Sequence, residues 1–251
     1  MKIEFHYTYI LIAVGFVLTG HFHNLLVFTS IILIHESGHY IIAKINKLEV
    51  EKIIIYPYGG LVKMNNKINT SINKELIVAI SGIIFQLAYY FIIIFLYQKG
   101  IIREYIFNLF NIYHKNILIF NILPIHPLDG SKVLNLLLSK IIPFNTANKL
   151  NIIISIITII IISYINYYEF NYTTILIIGV ILDNIIKYQK QLKYIFNKFL
   201  LERYIYNINH PKTKKINKIT NMYKEKYHII KENNTYITEK QALAHKFKRK
   251  I

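Results

Sequence analysis

Two imidazoles and a carboxylate, His35, Glu36 and His39, stand inside the apolar run from Val27 to Ala43. On a helix, residues four apart share one face a turn apart, so His35 and His39 can hold the same zinc ion. Glu36, beside the first imidazole, is placed to act as a base on a water at that ion. The chemistry implied is hydrolysis at a metal centre inside a hydrophobic segment. A chance match, with the histidines merely hydrogen-bonded in a helix bundle, is the alternative. It is disfavoured because polar groups at such depth each cost several kcal/mol unless they are satisfied.

Two histidines do not complete a catalytic zinc site, which takes three protein ligands and one open position. The stretch Asn121-Ile122-Leu123-Pro124-Ile125-His126-Pro127-Leu128-Asp129-Gly130 offers candidates for the third. Its two prolines and glycine interrupt a helix, and broken helices let a carboxylate point inward. Asp129 is the preferred ligand and His126 the competitor. Asp183 reads instead as the i,i+4 partner of Lys187.

The surrounding elements must place these groups. The 251-residue chain is 54% hydrophobic yet carries a net charge of +17, which fits a membrane protein with a basic soluble part. From Lys187 onward there are 17 Lys and Arg against 4 Asp and Glu, so most of the charge is in the tail. The absence of cysteine excludes disulfides and thiolate metal sites. The surplus of Ile, Asn, Lys and Tyr looks like codon bias and says nothing of function.

The expected fold is an all-α polytopic membrane protein of six spans: His6–Gly20, Asn24–Ile45, Glu75–Tyr97, Tyr105–Ile125, Leu150–Tyr167 and Tyr172–Tyr188. Tyr7–Thr19 reads as the first span rather than a cleavable leader. The fourth segment is the most polar, through Asn108, Asn111, His114, Lys115 and Asn116. Basic residues between spans two and three, after span four and in the tail fall on one side if both termini are cytosolic. Lys52 to Lys63 reads as two short β runs around a Pro/Gly turn at Pro57-Tyr58-Gly59-Gly60, either a plain surface hairpin or an edge that pairs with an extended peptide.

The domain division expected is a membrane domain at 1–188, a basic interfacial helix at 189–210 on the anionic leaflet, and a short α/β tail at 211–251. The tail reads as a hairpin over Tyr227–Ile237 followed by a helix from Thr238, too small for an independent core. No recognition motif points to direct nucleic-acid binding. Transport would call for repeated halves, and no internal repeat is present; a non-proteolytic zinc-binding scaffold is the other alternative.

His35-Glu36-x-x-His39 in one apolar segment, with Asn121-x-x-Pro124-x-x-x-x-Asp129-Gly130 in a later one, resembles the site-2 proteases, the intramembrane zinc metalloproteases. Leu18-Thr19-Gly20-His21, Pro57-Tyr58-Gly59-Gly60, Ser139-Lys140-Ile141-Ile142-Pro143-Phe144 and Phe199-Leu200-Leu201-Glu202-Arg203-Tyr204 extend the likeness, toward the sporulation branch, over about residues 1–205. The resemblance implies one zinc held by His35, His39 and Asp129, with Glu36 as general base. It implies that Asn121 and Pro124 line the site and that Gly59 and Gly60 engage a substrate strand. The substrate it implies is the pro-sequence of a sporulation sigma factor, cut in the mother-cell membrane around the forespore, with membrane inhibitor proteins as further partners. Ser81-Gly82-Ile83 stands where the family has a Gly-Pro pair, and His126 replaces an aromatic. The piece His228–Lys246 resembles part of one CBS repeat, the nucleotide-sensing module of that branch.

Overall fold

A computed structural model describes residues 2–56, 59–64, 67–165, 172–206, 208, 210–232 and 235–248. The expected turn at Pro57-Tyr58, the loop around Glu169 and the tail turn at Asn233-Asn234 lie outside the described residues. The chain divides into two units, one of residues 1–66 and 77–123, the other of 67–76 and 124–251.

In the first unit, α1 (Tyr7–Leu18) and α2 (Phe22–Ile45) are separated by Gly20, whose φ of 76° suits the reversal between them. Their hydroxyls Tyr9 and Thr29 hydrogen-bond across the interface. The side-chain amide of Asn46 caps α2 by donating to the Ile42 carbonyl at 2.9 Å, and Lys47 follows with a φ of 58°. β1 (Ile3–Phe5), β2 (Val50–Tyr56) and β3 (Gly59–Met64) form a sheet in that order. The expected hairpin is there, with Ile55 opposite Gly60, and β1 adds a parallel third strand that the sequence reading lacked. Ile53, Ile55 and Val62 bury one sheet face with Ile32 of α2. The long helix α3 (Ile72–Gln98) starts in the second unit and runs into the first, where α4 (Glu104–Ile122) packs beside α2.

The second unit contains α5 (Asp129–Ile141), α6 (Phe144–Ile165) and α7 (Tyr172–Tyr206). Its tail places β4 (Thr213–Ile216), β5 (Tyr227–Glu232) and β6 (Thr235–Thr238) in one sheet beside α8 (Glu239–Lys248). The tail hairpin and following helix match expectation; β4, parallel to β5, is new.

Among the described residues, three helices are long and apolar enough to cross a bilayer: α2, α3 and α6. They match the second, third and fifth expected spans. The first expected span is a helix of 12 residues, about 18 Å at 1.5 Å per residue and short of a ~30 Å hydrocarbon core. Two segments differ from the reading. Residues 129–141, taken as a basic loop, form an amphipathic helix, because Val133, Leu134, Leu137 and Leu138 recur at helical spacing. No break separates a sixth span from an interfacial helix, since α7 is continuous for 35 residues.

The lipid-facing role expected for the helix after Gln189 is also revised. Phe196, Phe199 and Leu200 are buried with Met222, Ile230 and Leu243 of the tail and with Phe144. The tail thus obtains the core it is too small to build alone. At its centre Arg203, with a side chain fully out of solvent, pairs with Glu239 at 2.9 Å and donates to the carbonyls of Tyr223 and Lys224.

His228 donates from Nδ1 to Glu239 at 2.9 Å, while its Nε2 accepts the Tyr223 N–H at 3.0 Å. That pattern requires a neutral ring. Burial outweighs the pull of Glu239 and holds the His228 pKa below its ordinary 6.5. Burial alone would raise Glu239, but the His228 hydrogen bond and the Arg203 charge hold it below the ordinary 4.5. Both groups bind protons less readily folded than unfolded, so their stabilisation is full above about pH 6.5 and is lost as pH falls. Amide exchange in β5 and α8, corrected for intrinsic rates, is expected to accelerate between about pH 7 and pH 5; unchanged protection would contradict the neutral-histidine arrangement.

Candidate metal centre

His35 and His39 lie one turn apart on α2, buried at 2% and 4% exposure, with Glu36 buried beside them at 5%. The ligand atoms of all three lie within 4.8 Å of one another. Each imidazole is oriented from behind by α3. His35 Nδ1 meets the side-chain oxygen of Gln86 at 3.1 Å, and the Gln86 amide is itself fixed because its nitrogen donates to the His114 carbonyl at 3.0 Å. His39 Nδ1 donates to the Val78 carbonyl at 2.7 Å. With both Nδ1 atoms protonated by these contacts, each Nε2 carries a lone pair.

The two Nε2 atoms face one another at 3.2 Å. Two nitrogens at ~2.05 Å from a tetrahedral zinc would lie about 3.3 Å apart. The donor pair therefore fits zinc in both chemistry and spacing. Backing of each ligand ring by an amide or carbonyl acceptor is the support that metal-binding histidines require.

Glycine keeps the space open. A Cβ on Gly82 would stand 2.3 Å from His39 Nε2 and 2.6 Å from His35 Nε2, in the region where an ion would sit. A Cβ on Gly38 would meet the Ser81 carbonyl at 2.7 Å and Phe85 at 2.8 Å, so this glycine lets α2 and α3 approach closely. On the other flank, a Cβ on Gly60 would lie 2.2 Å from Glu36 Cγ and 2.7 Å from its Oε1. The backbone of β3, the last strand of its sheet, thus presses on the Glu36 carboxylate.

Residues 23–111 match the family model described as Peptidase family M50. Over those residues the chain is similar to that family. It is 37% identical over 153 residues to Stage IV sporulation protein FB of Bacillus subtilis, covering 61% of this chain and 53% of that one. It is 30% identical over 153 residues to Zinc metalloprotease MJ0392 of Methanocaldococcus jannaschii, covering 56% and 43%. The chain spans about half the length of these relatives. A solved structure, the Site-2 Protease from Methanocaldococcus jannaschii, shares the fold at a TM-score of 0.59 and 21% identity, over 74% of this chain and 89% of that one.

Within the first unit, the structure gathers His35, Glu36, His39 and Gly60 into one place, and Gly59 opens β3 beside them. Asn121 sits in the last turn of α4 in the first unit. Pro124 and Asp129 belong to the second unit. Asp129 is the first residue of α5, 4% exposed, with one oxygen 2.8 Å from Lys132 Nζ. The rival ligand His126 stacks its ring on Tyr188, centroids 4.1 Å apart. Asp183 pairs with Lys187 at 2.6 Å, as its spacing predicts.

The sequence reading missed Gln86 and the Val78 carbonyl, and it treated Gly82 only as a departure from a motif. A signal for Gln86 existed, since it is the one amide between Glu75 and Tyr97 in an otherwise apolar stretch. Gln86→Leu is expected to weaken zinc affinity by ~10–100-fold, and Gly82→Ala to abolish stoichiometric zinc binding. Metal analysis after chelator competition measures both; wild-type affinity in Gly82→Ala would contradict this geometry.

Proposed function

We propose that this chain is an intramembrane zinc endopeptidase that cleaves a membrane-associated protein, the pro-sequence of a sporulation sigma factor. The observation that carries the reading is the pair of oriented, buried imidazoles whose separation suits a zinc ion, with a carboxylate beside them that touches a sheet edge. His35 and His39 would hold the ion, with Asp129 as the third ligand from the proline-broken segment. When bound, zinc supplies a Lewis acid that polarises a peptide carbonyl and makes water acidic enough to attack near neutral pH.

The chain's own groups do the rest. Glu36 takes the proton of the attacking water and returns it to the leaving amine. A helical substrate must unwind before cleavage, because its peptide groups are already hydrogen-bonded and shielded. β3 closes the sheet order β1-β2-β3, so the side away from β2 offers backbone groups to which an extended segment can add. Gly59 and Gly60 keep that edge free of side chains next to Glu36, and Asn121 and Pro124 line the path beyond it.

The sigma-factor precursor is supported by the likeness to Stage IV sporulation protein FB. A six-span arrangement with both termini cytosolic is supported by the basic inter-helical segments, and the mother-cell membrane around the forespore by the likeness to Stage IV sporulation protein FB. Membrane inhibitor proteins are the further partners of this reading. In co-expression with the precursor, Glu36→Gln is expected to retain zinc and to lose cleavage by at least ~10²–10⁴-fold. Persistent cleavage by that variant would remove Glu36 from the mechanism. Cleavage of other membrane proteins but not of the precursor would overturn the substrate assignment alone.

A further inference from the structure

We infer that three polar side chains on one face of α6, Asn148, Asn151 and Ser155, position the Pro124–Ser131 segment and with it Asp129. The inference rests on the reading of Asp129 as a zinc ligand. The three residues recur at i, i+3 and i+7 in a helix otherwise rich in isoleucine, and they are 4%, 2% and 0% exposed. Buried amides and hydroxyls in a helix apolar enough to cross a bilayer must each be satisfied. Here Ser155 and Asn151 find partners in the same eight residues of chain, and Asn148, whose partners are Asn135, the Phe144 carbonyl and Tyr188, reaches them through the Tyr188 ring.

Ser155 holds the start of the segment. Its hydroxyl accepts the His126 N–H at 3.0 Å and reaches the carbonyls of Asn151 at 2.8 Å and Pro124 at 3.3 Å. Asn151 holds the end, exchanging hydrogen bonds with the fully buried Ser131 hydroxyl at 2.9 and 3.2 Å. Asn148 acts through an aromatic. It accepts from the Tyr188 hydroxyl at 2.6 Å, and the Tyr188 ring stacks on His126 with an interplanar angle of 18°.

Asp129 lies between the two anchors, three residues after His126 and two before Ser131. A proline-interrupted segment has lost part of its helical hydrogen bonding, and the α6 side chains replace it. The ladder therefore fixes where α5 begins and where its first carboxylate stands. In this account His126 is a packing and anchoring residue, held by its backbone N–H and its ring face. Ser155, Asn151 and Asn148 are positioning residues, since none of them needs to touch substrate or metal.

The test uses the full chain in detergent, with zinc affinity measured by chelator competition and the cobalt-substituted protein read by visible absorption. Ser155→Ala is expected to weaken zinc by ~10-fold or more and to shift the cobalt bands, as loss of an outer support does. Ser155→Thr, which keeps the hydroxyl, is expected to restore both readouts, a rescue that lost packing alone would not give. Wild-type affinity and bands in Ser155→Ala, alongside a large loss in Asp129→Ala, would overturn the inference while leaving Asp129 a ligand. Wild-type affinity in Asp129→Ala would instead overturn the ligand reading on which it rests. Should Ser155→Ala not be recovered folded, Ser131→Ala decides by the same two readouts, since it removes the opposite anchor.

Discussion

Two imidazole nitrogens that both carry lone pairs and face at 3.2 Å in a buried interior repel unless a proton or a metal ion lies between them, and the spacing suits zinc. The geometry of the first unit serves this constraint. α3 supplies an acceptor to each outer ring nitrogen, which leaves the inner nitrogen of each neutral ring with a lone pair for a metal ion. The close approach that allows this depends on glycines, Gly38 at the α2–α3 contact and Gly82 over the imidazoles. Larger residues at either position would gain apolar contact and lose the site. The small sheet adds the other half of the chemistry by bringing an edge strand against Glu36.

The second unit solves a related problem with different means. Its tail is too small to fold alone, and it borrows the apolar face of α7 and the start of α6 for a core. Polar groups then lock the tail to residues 67–76. Glu202 accepts the N–H groups of Ile68 and Asn69 at 3.0 Å, Glu225 accepts that of Ile72 at 2.7 Å, and the buried Lys224 pairs with Glu75 at 2.6 Å. Such pairs add little net stability but cost several kcal/mol to break one-sidedly, so they specify one arrangement rather than strengthen it. Of the four acids after Lys187, Glu202 and Glu225 are spent on this lock and Glu239 on Arg203 and His228, which leaves the tail surface strongly basic.

Legibility in the sequence followed sequence distance and chemistry. His35, Glu36 and His39 were readable because helical periodicity alone brings them together and because ionisable groups in an apolar run call for an explanation. Both hairpins were readable from local turn signals. β1 and β4 were not, since each is a strand of three or four residues paired in parallel across intervening chain, and nothing local marks a parallel edge. α5 was hidden because its exposed lysines and its buried Ser131 and Ser139 resemble a loop when read singly. Gln86, the Val78 carbonyl and the α6 polar ladder become visible only once packing shows what they face, since hydrogen-bond partners have no fixed spacing.

The most direct test of the zinc site is X-ray absorption at the zinc edge on the purified full chain. A stoichiometric, four-coordinate zinc with two imidazole nitrogens at about 2.0–2.1 Å and oxygen donors in the remaining positions is the predicted result. A zinc shell without imidazole scattering, or an absence of stoichiometric zinc from folded protein prepared with the metal present, would contradict it.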